Sequence, residues 1–367
     1  MARQPLPADT ILGKDSDQYR IDTVLGPGGF GITYLARSLR LDREVAIKEY
    51  FPAEFAYREG STTIRSSGSG SSDFFNQGKR YFIEEARVLG KFRHEHIVRV
   101  IGLLEEHNTA YMVLEFEEGH SFKHWLRELG HQPTQADIDA ILEPMLLALE
   151  YIHSKEIFHR DIAPDNIIVR PNGKPVLIDF GAARQFARES SHTLGAIVKH
   201  GYSPPEQYTV DTRLQGAWSD IYALSATMYQ AVMGRPPEEA SRRQLQDTML
   251  PVEEHMDAFN RTLYHPSFIA GLNAGLILRP KDRHRPSMRF AKSCTLDANR
   301  TLPKARGQRA PGGLKAAVLR GAGRPFPPTK HRVARPGSPP QTKTVHFPAA
   351  RSSNPAGRSY PRKAQDR

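Results

Sequence analysis

His159-Arg160-Asp161-Ile162-Ala163-Pro164-Asp165-Asn166, followed downstream by Asp179-Phe180-Gly181, is the stretch on which the reading of this chain turns. The first run supplies an aspartate at 161 and an asparagine at 166. The second supplies another aspartate directly after Val176-Leu177-Ile178, an apolar run that reads as a strand. Two carboxylates and a carboxamide are oxygen donors of the kind a hard cation such as magnesium takes. Asp and Asn are also ordinary cap and turn residues, so the two motifs gain meaning from what surrounds them.

Upstream, Tyr19 to Leu25 alternates around Ile21, Thr23 and Leu25 and reads as a strand running into Gly26-Pro27-Gly28-Gly29-Phe30-Gly31. Ile32 to Ala36 is the returning strand, and Glu44 to Lys48 is a third. Ser61 to Ser72, rich in Ser and Gly, reads as a mobile loop or insertion. Lys79 to Phe92 carries Phe82, Ala86 and Leu89 at helical spacing, and Ile97–Leu104 and Ala110–Phe116 are two more strand candidates. After Gly119 the character turns helical. Pro133 to His153 places Ile138, Ile141, Leu142, Met145, Leu149 and Ile152 on one face. Further helices are expected near Ser219–Met233 and Pro266–Leu278. The expected fold class is therefore α+β: a bilobal arrangement, a small β-rich lobe over about 17–117 and a larger helical lobe over about 118–290.

Composition bounds the rest. The chain has 367 residues, 39% hydrophobic and 25% charged, which describes a globular protein with a tail. Its net charge of +11 is concentrated at one end: from Ala291 to Arg367 there are seventeen Lys or Arg against Asp297 and Asp366, which leaves residues 1–290 mildly acidic. That region also holds eleven prolines and seven glycines without a sustained period, the composition of a disordered segment. Either it is a genuine basic tail or a shifted reading frame near codon 290 produced it. Residues 1–16 form a short leading segment. The lone cysteine, Cys294, excludes an intramolecular disulfide. No run approaches a membrane-spanning length, and Met1-Ala2-Arg3-Gln4-Pro5 lacks a secretory apolar core. The expected location is cytoplasmic, with nucleic acid a partner only through the basic tail.

A glycine-rich hairpin can close over phosphates with its N–H groups directed at them. Here a strand both precedes and follows it, whereas a dinucleotide-binding turn would open a helix. A lysine at the end of a strand, Lys48, a carboxylate and an amide to hold magnesium, and a second carboxylate facing a hydroxyl are the groups that phosphoryl transfer from ATP requires. Together these residues, over about 17–290, resemble the eukaryotic-like Ser/Thr protein kinase family. Val45-Ala46-Ile47-Lys48-Glu49-Tyr50-Phe51-Pro52 looks especially like its bacterial branch.

The resemblance implies ATP and Mg2+ as cofactors and a Ser/Thr-containing protein as substrate, in signalling and with autophosphorylation. It implies nucleotide contacts from Leu25, Gly26, Gly28, Gly29, Phe30 and Gly31. Lys48 would contact the α and β phosphates and pair with Glu85, with Glu84 the alternative, since adjacent helix positions lie about 100° apart. Leu114 would guard the adenine pocket, beside a hinge of Glu115 to Glu117. Asp161 would be the general base or orient the hydroxyl, and Asn166 and Asp179 would hold magnesium. Glu206, in Pro204-Pro205-Glu206, would pair with Arg285, and Asp220 would brace the catalytic-loop backbone. Arg160 would receive a phosphate carried by Ser190, Ser191 or Thr193.

One position departs from the pattern. Where the family carries a lysine two residues after the catalytic aspartate, this chain has Ala163. Losing that cation would cost a few kcal/mol of transition-state stabilisation, on the order of 10²–10³ in rate. Two readings follow: a pseudokinase scaffold that holds ATP without transferring phosphate, or an active enzyme with a displaced cation. Lys199, where the family has a threonine seven residues before Glu206, is the candidate for that cation.

Overall fold

The computed structural model describes residues 4–28, 31–180, 198–209 and 211–283. Gly29, Phe30, Ser190, Ser191, Thr193, Arg285 and the basic C-terminal region lie outside them. Strands β1 (Ile11–Leu12), β2 (Tyr19–Gly28), β3 (Gly31–Ser38), β4 (Arg43–Tyr50), β5 (Ala56–Glu59) and β6 (Thr63–Ser66) precede helix α1 (Ser69–Leu89). Strands β7 (Val100–Glu106) and β8 (Thr109–Glu115) complete a six-stranded antiparallel sheet of order β1-β2-β3-β4-β8-β7. Period-2 alternation sets the faces of β4: Val45 and Ile47 are buried, and Lys48 lies on the other face, opposite Thr33 of β3 and Met112 of β8.

The Ser/Gly-rich stretch is not a loop. Thr63–Ser66 pairs with Ala56–Glu59 as a hairpin, and α1 begins at Ser69, ten residues before the apolar period suggests. Composition there is overridden by long-range contacts. Ile64 is fully buried, its N–H donates to the carbonyl of His107, and Asn108 donates to the carbonyl of Ile64. In α1 the buried face is Phe75, Phe82, Ala86 and Leu89.

The second part is helical. After β9 (His120–Ser121) come α2 (Phe122–Glu128) and α3 (Gln135–His153), then β10 (Ile167–Val169) and β11 (Pro175–Leu177). Helices α4 (Ala217–Met233), α5 (Ala240–Leu245), α6 (Ala258–Thr262) and α7 (Pro266–Gly275) follow. A capping box starts α3: Thr134 accepts from the Asp137 N–H, and Asp137 accepts from that of Thr134. Helix α4 is buried almost all round, as a central helix must be. Gly275 of α7 sits so close to it that a Cβ would meet Ser225 Oγ at 1.9 Å.

The small sheet β9–β10–β11 explains why the two acidic motifs meet. Ile167 pairs with Leu177, so the residue before β10 and the residue after β11 are neighbours, and the Ile178 N–H donates to the carbonyl of Asn166 at 2.9 Å. The fold is the α+β, two-lobed arrangement expected. Among the described residues no helix is long and apolar enough to cross a membrane.

Candidate active site

The segment from His159 to Asn166 has little regular structure of its own and is held from beneath. Asp220, fully buried in the first turn of α4, accepts the main-chain N–H groups of His159 and Arg160 at 2.8 Å each, and His153 Nε2 lies 2.8 Å from the same carboxylate. Burial opposes the charge on Asp220. The His153 hydrogen bond, the nearby histidines and the Arg160 N–H together outweigh it and hold the carboxyl below its ordinary range. Arg160 and Asp179 both adopt left-handed backbone, with φ of 66° and 60°. For non-glycine residues that conformation is strained and is kept only where surrounding contacts fix it.

His159 is fixed as one tautomer. Its Nε2 donates to the carbonyl of Ile178 at 3.0 Å, and its Nδ1 accepts from the Asp161 N–H at 3.3 Å. Burial lowers its pKa, and the donor already facing Nδ1 leaves no acceptor for a second ring proton. Phe180 packs on this ring, centroids 4.5 Å apart, and reaches Phe92 just beyond α1.

Around this frame the polar groups converge. Asn166 Nδ2 donates to the Asp161 carbonyl at 2.7 Å and to Asp161 Oδ2 at 2.6 Å, which leaves the Asn166 side-chain oxygen as its ligand atom. Lys48 Nζ lies 3.0 Å from Asp179 Oδ1, joining the β-rich lobe to the segment that follows β11. Glu85 is buried, whereas Glu84 is exposed and pairs with Arg87 at 2.5 Å. Of the two candidates, only Glu85 is on the inner face of α1. Leu114, just before the expected hinge of Glu115 to Glu117, is buried. Glu115 commits both its N–H and its carboxylate to Arg99, and Glu117 forms a two-pronged pair with Arg170 at 2.7 and 3.0 Å.

The glycines divide by role. A Cβ on Gly31 would lie 1.7 Å from the Glu49 carbonyl, so that glycine is required by the β3–β4 contact itself. A Cβ on Gly26 would meet nothing within 4 Å, and one on Gly28 only the Gly31 carbonyl at 3.7 Å. Space beside these two is open, which is what a phosphate-covering hairpin needs. Leu25 is exposed on the same strand.

Lys199 lies at the His159–Asn166 segment: its ammonium is 3.8 Å from Asp165 Oδ2. Lys123 of α2 reaches the same carboxylate at 3.2 Å, a contact with no local sequence signal. Ala163 is fully buried. The expected partner of Glu206, Arg285, lies outside the described residues. Arg283 takes Glu206, with contacts of 2.7 and 3.3 Å, and also donates to the carbonyls of Ile277, Leu278 and Trp218. No local pattern in the sequence singles out Arg283 as the partner of Glu206. Gln207, which donates to the Arg160 carbonyl at 3.0 Å, was equally silent in the sequence.

Residues 19–288 match the protein kinase domain. The chain belongs to the protein kinase family. It is 31% identical over 229 residues to the serine/threonine-protein kinase PrkC of Bacillus subtilis, covering 62% of this chain and 32% of that one. It is 30% identical over 228 residues to PknB of Mycobacterium leprae, covering 60% and 33%. The chain thus spans about a third of the length of these curated relatives. A solved structure, the apo form of PpkA-294, aligns with TM-score 0.70 and 34% identity over 79% of this chain and 99% of that one. These likenesses bear out the bacterial Ser/Thr kinase resemblance carried by the two acidic motifs and Val45–Pro52.

Proposed function

We propose that this kinase domain transfers the γ-phosphate of ATP to Ser or Thr hydroxyls of protein substrates, including its own chain. The observation that carries the reading is the convergence of Asp161, Asn166, Asp179 and Lys48 through contacts of 2.6 and 3.0 Å. Asp161 orients the substrate hydroxyl and accepts its proton as the oxygen attacks the γ-phosphorus and the bond to the β-phosphate oxygen breaks. Asn166 keeps the Asp161 carboxylate in one orientation. Lys48 anchors the α and β phosphates, Glu85 on the inner face of α1 supports Lys48, and Gly26, Gly28 and the residues around them cover the triphosphate. Main-chain groups from Glu115 to Glu117 take the base. The Asn166 side-chain oxygen and the Asp179 carboxylate suit magnesium, which when bound neutralises charge developing on the phosphates. The segment Gly201-Tyr202-Ser203-Pro204-Pro205-Glu206 supports a peptide substrate rather than a small molecule.

Lys199 is proposed to supply the cation missing at Ala163, because it comes from the segment facing the catalytic loop and already contacts Asp165. The pseudokinase reading is not favoured by an intact set of acidic ligands. Labelled ATP with magnesium tests the matter: wild type should autophosphorylate and Asp161→Asn should not. Nucleotide binding without phosphate incorporation by wild type would restore the scaffold reading.

A further inference from the structure

Three metal-ligating side chains converge at a place with no part in phosphoryl transfer. His120 lies in β9, His124 in the first turn of α2 and Glu128 at its last residue, all three are exposed, and one ligand atom from each falls within 4.8 Å of the others. His124 Nε2 is already 3.0 Å from Glu128 Oε1, and the rings of His120 and His124 face each other at 4.6 Å and 36°. An i,i+4 His–Glu pair alone is an ordinary helix-surface contact. The third donor, from a strand, is what sets this cluster apart. It is placed by main-chain pairing of His120 with Val169 and by burial of Phe122 on the far side of α2.

We propose that His120, His124 and Glu128 form a site for a divalent transition metal, zinc in the first instance. Two imidazole nitrogens and one carboxylate oxygen are a zinc donor set, whereas magnesium and calcium take oxygen alone. Metal–ligand bonds of about 2.0–2.2 Å put tetrahedral donors about 3.3 Å apart, within reach of a small side-chain rotation from the spacing seen. The fourth position is left to water. Bound zinc ties β9 to α2. Helix α2 also carries Lys123 to Asp165 and β9 pairs with β10, which follows Asn166, so the site braces elements that border the catalytic segment.

Calorimetric titration of zinc chloride into the full-length protein, without nucleotide or magnesium, tests this. Wild type should bind one zinc that is weakened about 10–100-fold in His120→Ala, His124→Ala and Glu128→Gln, taking the loss of a ligand to be at least as severe as that of an outer-shell partner. Other histidines and Cys294 contribute equally to every variant, so the difference from wild type reports the site. Zinc should also raise the unfolding temperature of wild type but not of His124→Ala. The ligands are exposed, so in chelator the variants should melt with wild type; His124→Gln replaces any that does not. Equal zinc stoichiometry and affinity in wild type and all the variants would overturn the proposal.

Discussion

At the scale of single residues, His159 links packing to pH. Burial lowers its folded pKa below the ordinary 6.5, so on acidification the unfolded chain takes up this proton first. Stability present at pH 7.5 is therefore lost as pH falls below about 6.5, at up to about 1.4 kcal/mol per pH unit. Urea unfolding between pH 7.5 and 5.5 should show that slope, flattened in His159→Gln even though the variant is less stable throughout. An unchanged slope would assign the effect to other histidines. Lys199→Ala should lower turnover by about 10²-fold or more with ATP affinity nearly intact, if its charge acts on the transition state. A rise in KM for ATP alone would make Lys199 a ground-state contact. The candidate site groups Asp161, Asn166 and Asp179 were legible in the sequence because they sit in short runs whose residue types and order match what the proposed chemistry needs. Lys123 was not, because its partner Asp165 is contributed by a distant segment.

At the scale of elements, the antiparallel pairing of β10 with β11 sets Asn166 beside Ile178, and the capping box fixes where α3 begins. Thr134→Ala should cost about 1 kcal/mol in urea unfolding, with little change in phosphate transfer because the cap is remote from Asp161. Gly31→Ala should be far more damaging, since its methyl would have to displace the backbone of Glu49; gel filtration and circular dichroism would show lost folding rather than lost binding. Helix α3 was readable from its apolar period. The β5–β6 hairpin and the early start of α1 were not, since they depend on Ile64 meeting His107 and Asn108 rather than on local propensity.

At the scale of the molecule, a buried ion pair braces each part. In the helical part Arg283 and Glu206 are almost fully enclosed, and Ser219 adds a hydrogen bond to the same carboxylate. Arg283→Ala leaves a buried charge unpaired and should cost about 3–5 kcal/mol, while replacing both partners by Arg283→Met with Glu206→Gln should cost less. In the sheet part Arg58 pairs with Glu49 at 2.7 Å, Glu49 accepts from Tyr34, Tyr34 accepts from the Leu6 N–H, and Arg58 also donates to the Gln4 carbonyl. A network that begins one residue after Lys48 thus pins the leading segment to the sheet. A chain starting at Asp9 loses one charge-assisted hydrogen bond and the burial of Leu6, about 3 kcal/mol or more. Its thermal midpoint should drop accordingly, and an unchanged midpoint would show that segment to be dispensable.

The grip of Asp220 on the His159 and Arg160 amides has a practical side. Because those amides are peptide groups, this hold does not depend on the side chain at position 161. On the role proposed for Asp161, exchanging it for its amide would remove the reacting carboxylate while that hold stays in place, so the variant would serve as bait for the substrates the wild type would modify.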